Sequence, residues 1–170
     1  MKKYEFTGET KRVELWNRTA TLHRIKATVE FGFVKVGELG GWIEKEENLS
    51  HEGKAWVCGD AEVWGNAKVW GNAEVWGNAE VCGDAKVCGD AKVFLASHVL
   101  VMGSVGSRND FTTFFRDKDN EITVKCGCFL GKIDKFLEKV TQTHGNNKYA
   151  LVYRAAVEVA KLQIELTERK

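Results

Sequence analysis

The sequence predicts a mainly β protein: a short parallel β-helix with an N-terminal β cap and a C-terminal β-hairpin followed by two α-helices. Three observations predict it. Between Ala55 and Asp90 one six-residue phrase repeats six times without a gap, as AWVCGD, AEVWGN, AKVWGN, AEVWGN, AEVCGD and AKVCGD. The residues before it alternate as strands do, and those well after it take up helical spacing. A six-residue period is too short for a helical-hairpin repeat and fits a coil of short strands and corners. The boundaries read as 1–50 for the cap, 51–106 for the repeat and 107–170 for the C-terminal unit.

Taken in order, residues 4–31 alternate, with a turn at Trp16-Asn17-Arg18. Gly40-Gly41 reads as a turn, and Ile43 and Leu49 already sit six apart. LSHEGKAW is a hexad carrying two extra residues, a corner loop. Within each regular hexad, alternate side chains point to opposite faces. Ala61 and Val63 therefore face one way, Glu62 and Trp64 the other, and the charge places Ala and Val inside. The Gly-Asn or Gly-Asp that follows is corner chemistry: Gly accepts positive φ without steric cost, and Asn or Asp tolerates the left-handed region. A seventh copy, AKVFLA from Ala91, loses the Gly and its polar neighbour. Ser97 and Gly103 still fall where the small Ala belongs, before Val99 and Val105, so the helix is expected to run to about residue 105. FTTFFRD, a polar turn at Lys118-Asp119-Asn120 and ITVKCGCFL then read as a β-hairpin. Ile133, Phe136, Leu137 and Val140 have helical spacing, and Gly145 with its Asn neighbours ends that helix. Tyr149, Val152, Tyr153, Ala156, Ala160 and Ile164 mark one face of a second, longer helix.

The ladder resembles the left-handed β-helix of hexapeptide-repeat proteins, in which three hexads make one triangular coil. The segment TLHRIKATVEFGFVKVGELGGWIEKEENLSHEGKAWV, with the hexads, resembles YdcK-like hexapeptide proteins of bacteria and phages. The C-terminal SRND…TFFR…CGCF…THG…Y pattern is similar to a tail of uncharacterised phage and prophage proteins. The resemblance implies that residues eighteen apart stack: Val57, Val75 and Val93 in one inner column, Val63, Val81 and Val99 in a second, Val69, Val87 and Val105 in a third. It also implies an oligomer, a trimer first of all, and for some relatives acyl transfer by a histidine between subunits.

The 170 residues are enough for one domain or two small ones. A net charge of +1 with interspersed signs speaks against a partner of extended nucleic acid. The lysines of the N-terminus have no apolar stretch behind them, and no run approaches the roughly 18 apolar residues of a membrane span. The reading is a cytoplasmic protein of a bacterial host cell whose five cysteines are free thiols.

The outer aromatic positions split among three columns at an eighteen-residue period: Cys58/Trp76/Phe94, Trp64/Cys82/Leu100 and Trp70/Cys88/Gly106. Burial of Cys58, Trp76, Phe94, Trp64 and Trp70 in oligomer or domain contacts is the expectation, with the first column the preferred contact. Among the histidines, His98 lies outward in the ladder, where its column-mates would be Glu62 and Glu80. A solvated histidine is the simpler reading of it. His51 lies in the inserted corner, His23 in a strand, and His144 at a helix end where a cation complements the dipole. No nucleophile or oxyanion signature accompanies them, so no catalytic residue is assigned. Cys126-Gly127-Cys128 does not have the spacing of a zinc knuckle, and no metal or cofactor is expected. The richest polar cluster is Ser107, Arg108, Asn109 and Asp110 with Thr112, Arg116 and Lys125. Its cations and small hydroxyls suit an anion such as a phosphate; a solvated polar connection is the plainer alternative.

These readings favour a non-catalytic, oligomeric binding protein of phage or prophage type that sequesters a small anionic, nucleotide-like ligand, such as a host immune signal. A hexapeptide-class acyltransferase and a structural or assembly protein are the alternatives.

Overall fold

The computed structural model describes residues 1–166 and is mainly β, with several parallel ladders and two C-terminal helices. The first strands, β1 (Tyr4–Glu14) and β2 (Thr19–Ala27), pair antiparallel from Tyr4↔Ala27 to Glu14↔Thr19, with a bulge between Phe6 and Thr10. The turn between them closes with Leu15 N–H donating to Arg18 O at 2.8 Å. β3 (Leu39–Ile43) pairs antiparallel with β2 on one edge. On its other edge it runs parallel to the repeat, with Ile43 beside Val63. It thus splices the cap to the ladder.

Gly40 and Gly41 lie inside β3 and not in the expected turn. Sterics explain them. A Cβ on Gly40 would stand 2.5 Å from Ile25 Cγ1 and 2.7 Å from Val57 O; one on Gly41 would stand 2.6 Å from Ala61 O. Glycine in a strand here marks the close approach of another backbone.

The repeats form seven two-residue strands: β4 (Trp56–Val57), β5 (Glu62–Val63), β6 (Lys68–Val69), β7 (Glu74–Val75), β8 (Glu80–Val81), β9 (Lys86–Val87) and β10 (Lys92–Val93). The chain visits three parallel ladders in turn: β4–β7–β10, β3–β5–β8 and β6–β9. Val57 pairs with Val75, Val75 with Val93, Val63 with Val81 and Val69 with Val87, all eighteen apart. Ile43↔Val63 and Leu49↔Val69 are twenty apart, and the two extra residues belong to the corner around His51. The inward Ala and Val residues of the hexads are at most 1% exposed. Each corner glycine from Gly59 to Gly89 has φ between 60° and 72°, a region that other L-residues adopt rarely. Asn66 and Asn72 donate to Asp84 and Asp90 one coil on, at 3.2 and 3.1 Å.

The ladder stops at Val93, short of the expected residue 105. The seventh hexad has no corner glycine. A 3-10 turn at Ala96–His98 takes its place, held by His98 Nδ1, which accepts from the N–H groups of Phe94 (3.0 Å) and Leu95 (3.3 Å). The chain then enters β11 (Val99–Val105), which runs antiparallel to β12 (Asp110–Arg116). Val99 therefore pairs with Phe115, and Val105 with Asp110, instead of extending the inner columns. The division at 106–107 moves back accordingly, since β11 belongs to the C-terminal unit.

That unit is a four-stranded antiparallel sheet, completed by β13 (Ile122–Cys126) and β14 (Phe129–Lys132), where a lone hairpin was expected. One face lies on the ladder: Phe115, Val99 and Val101 join its core, and Lys86 N–H donates to Thr113 Oγ1 at 2.9 Å. The other face, with Leu100, Met102, Phe114, Ile122 and Val124, carries α1 (Ile133–His144) and α2 (Lys148–Gln163). Asn147 caps α2 by accepting from Ala150 N–H at 3.1 Å. No helix among the described residues is long and apolar enough to cross a membrane.

Asp117 ties sheet to ladder through its bridge with Ala91. It is 3% exposed. Its carboxylate accepts from Thr123 Oγ1 (2.6 Å), Lys132 Nζ (2.6 Å) and the N–H groups of Asp119 (2.9 Å) and Glu121 (3.2 Å). Burial by itself would raise its pKa, but these donors together hold it below the ordinary carboxylate value.

Two outcomes are expected. Gly41→Ala forces a methyl onto a backbone carbonyl and should cost about 1–3 kcal/mol of stability, read from urea midpoints. Asp117→Asn should cost about 2 kcal/mol at neutral pH, less than a fully buried pair would because Lys132 remains partly solvated. The stabilisation by Asp117 is fully present above the unfolded carboxyl's pKa and is lost as pH falls through the lowered folded value. Acid titration of stability should therefore be shallower in the Asn variant.

Candidate functional site

The sequence cluster divides in the structure, because neighbours on β12 and β13 face opposite layers. Ser107, Arg108 and Asp110 line a cavity of about 140 Å³ between the β11–β12 connection, the β13–β14 turn and both helices. Thr112 lies buried on the helix face, where its hydroxyl donates to Cys126 Sγ at 3.4 Å. Asn109 adopts φ 47° beside the cavity, and its carbonyl accepts from the Ser104 hydroxyl. Lys125 pairs across strands with Thr113, on the ladder side, and donates to Gly127 O at 2.5 Å. Arg116 sits at the far end of β12, donating to Lys92 O (3.2 Å) and Asn120 Oδ1 (3.0 Å) with its guanidinium over the Phe94 ring. Arg116 and Lys125 therefore leave the site.

Other elements replace them. Lys139, Thr143 and His144 come from α1, Tyr153 from α2, and Cys126, Gly127, Cys128 and Phe129 from the β13–β14 turn. The Tyr153 hydroxyl lies over Gly106, which has φ 76°, so a side chain there would strike the ring. Tyr153 also touches Ser107 and Cys126, and burial raises its phenol pKa. His144 stacks on Tyr153 with centroids 5.8 Å apart, and Phe136 meets the Tyr153 ring edge-on at 5.6 Å. The Arg108 guanidinium crosses the turn at Gly127, with Nη1 3.1 Å from where a Cβ would stand. Among the described residues neither Arg108 nor Lys139 has an ion-pair partner. Asp110 is engaged locally, accepting from Phe111 N–H at 2.7 Å. The result is a recess lined by aromatic rings, the thiols of Cys126 and Cys128 and two exposed cations.

A larger groove of about 930 Å³ runs along α1 past Glu121, Lys132, Asp134 and Glu138. Its Lys132 is already met by Asp117, Asp119 and Glu121. The smaller cavity is chemically the more focused.

The histidines considered for catalysis serve the fold. His98 is 5% exposed and holds the turn described above, so it is not a solvated outward residue. Burial, followed by the nearby Arg116 charge, lowers its pKa. His51 stacks on Tyr4 at 4.2 Å, and its Nδ1 accepts from Lys3 N–H at 3.1 Å. In both rings the Nδ1 lone pair is occupied. His23 stacks on Phe6 at 4.8 Å. Among the described residues no three His, Cys, Asp or Glu side chains gather as a metal site.

The outer aromatic columns are partly covered by the chain itself. Trp64 packs with Trp42, Leu15 and Val13 of the cap. Trp76 stacks on Phe33 at 5.1 Å and meets Phe94 edge-on at 6.3 Å. Trp70 is half-buried against the ladder core, and Cys58 is buried within it. Phe94 keeps 38% of its surface exposed.

No protein-family profile matches the chain, and no curated protein matches it.

The thiols differ in environment. Burial pushes Cys58 up to about 12 and Cys88 up to about 11, whereas Cys128 is exposed at the rim of the cavity. Alkylation of the native protein followed by peptide mass mapping should label Cys128 first and leave Cys58 and Cys88 unlabelled until unfolding, since the thiolate is the reactive form.

Proposed function

We propose that the chain is a non-catalytic binding protein that holds the anionic group of a small, nucleotide-like ligand in the cavity between the C-terminal sheet and its helices. The observation that carries this reading is the pairing of Arg108 and Lys139, cations without ion-pair partners among the described residues, with the aromatic walls of Tyr153, His144 and Phe129. Arg presents a planar fork that matches a phosphate bidentately, and Lys adds a mobile point charge. The partly exposed rings of His144 and Phe129 are available to a planar base, with the buried Tyr153 backing His144. A volume of about 140 Å³ admits one phosphate or one ring, so the remainder of a nucleotide lies across the rim.

On this reading the three ladders form a left-handed β-helix of the YdcK-like kind, the protein is of phage or prophage type, and the ligand is a host immune signal removed by sequestration. The protein is a trimer formed along the ladder. The eighteen-residue stacking and the corner glycines support the β-helix, and the likeness of the C-terminal sequence to phage proteins supports the origin.

A thermal-shift panel of inorganic phosphate, mononucleotides and cyclic nucleotides tests the binding. A ligand at about one hundred times its Kd should add about 2.7 kcal/mol to the apparent stability. Arg108→Gln and Lys139→Gln should each weaken that ligand about tenfold, as loss of a charge-assisted hydrogen bond does. Absence of stabilisation across the panel, or a shift unchanged in both variants, would remove the proposal.

A further inference from the structure

The turn between β13 and β14 gathers two of the five cysteines. Cys126 pairs with Phe129, so Gly127 and Cys128 are the central residues of the turn. Gly127 has φ 55°, which residues with a Cβ adopt rarely. Two residues with one between them in a tight turn fall within the roughly 4.4–6.8 Å between Cα atoms that a disulfide spans. Both thiols also open onto one space, since both line the cavity of about 140 Å³.

Their surroundings differ. Cys128 is exposed, and the cations Arg108 and Lys139 line the cavity with it. Accessible sites of positive charge are where reactive cysteines are found. Cys126 is half-buried behind it; Thr112 Oγ1 donates to its Sγ at 3.4 Å, and the Tyr153 hydroxyl touches it. The remaining thiols lie elsewhere, Cys58 and Cys88 in the ladder core and Cys82 half-buried after β8.

We infer that Cys126 and Cys128 are a dithiol redox site, which a hydroperoxide closes to a disulfide across Gly127. The Cys128 sulfur attacks a peroxide oxygen and the O–O bond breaks. Water or an alcohol leaves with the thiol proton, and Cys128 is left as a sulfenic acid. Cys126 then attacks that sulfur. The S–O bond breaks, the S–S bond forms, and the hydroxyl leaves as water with the Cys126 proton. In sum each sulfur loses one electron and the peroxide gains both. A dithiol reductant reopens the bond by thiol exchange. The inference needs no bound ligand and stands apart from the reading of the cavity as an anion site.

The test treats the reduced full chain with hydrogen peroxide, alkylates the remaining thiols under unfolding conditions and maps tryptic peptides by mass. Cleavage after Lys125 and Lys132 releases both cysteines in one peptide. That peptide should lose the mass of two hydrogen atoms, escape alkylation, and recover both thiols with dithiothreitol. Cys58 and Cys88 should remain alkylatable. Cys126→Ser should stop at a Cys128 sulfenic acid that dimedone traps, whereas Cys128→Ser should leave the sheltered Cys126 unlabelled. Serine keeps a partner for Thr112, so both variants should melt with the wild type. A peptide that stays reduced, a Cys128 sulfinic acid or a disulfide between two chains in its place, or equal dimedone labelling of the two variants, would overturn the inference.

Discussion

The return of the chain to the same ladder every eighteen residues is the constraint on which the remaining structure depends. Strands in a ladder lie about 4.8 Å apart, so each inner column must stack side chains that fit at that spacing without gaps. Val57 on Val75 on Val93, and Val63 on Val81, meet the requirement with one branched residue per level. Alanine between them keeps the interior narrow, and glycine at each corner turns the chain without a Cβ penalty. With strands only two residues long, no ladder would hold by itself; stacking of the levels supplies the cooperativity.

Such a stack has two open ends, and the chain closes each differently. At the start, β3 belongs to both the cap and the ladder, a double role that its paired glycines permit. At the end, Ala91 bridges to Asp117, and a carboxylate with four donors holds the turn that begins the return of the second sheet. Unpaired strand edges invite association with other chains; β3 beside β5 at one end and the Ala91–Asp117 bridge at the other occupy part of those edges. The N-terminal closure has a further polar anchor in Lys3, whose Nζ donates to Ala55 O at 2.7 Å; burial brings its pKa down to about 8.

The candidate site exists because the C-terminal sheet is covered on both faces. The ladder takes one set of alternating residues and the helices the other. Where the β13–β14 turn, the β11–β12 connection and the facing helix ends fail to meet completely, a recess remains. Its polar groups are held by packed neighbours: Tyr153 is wedged over Gly106 and against Phe136, and Arg108 is laid across Gly127.

The sequence by itself determined the inward Ala and Val positions of the hexads, the glycine corners, the two-residue insertion around His51 and the helical face of α1. Each of these is a local rule repeated often enough, or spaced regularly enough, to be read from residue type. On α2 it placed Tyr153, Ala156, Ala160 and Ile164 but also the exposed Tyr149, and it missed the buried Ala150 and Val157. Only the tertiary structure decided where the ladder ends, that Gly40 and Gly41 form a strand, and that His98 is a buried acceptor. It also decided that Arg108 keeps company with Lys139, His144 and Tyr153 rather than with Arg116 and Lys125. The physical reason is the same throughout. A glycine is ambiguous until a neighbouring backbone is in place, and alternation along a strand separates residues close in sequence while layer packing unites residues far apart.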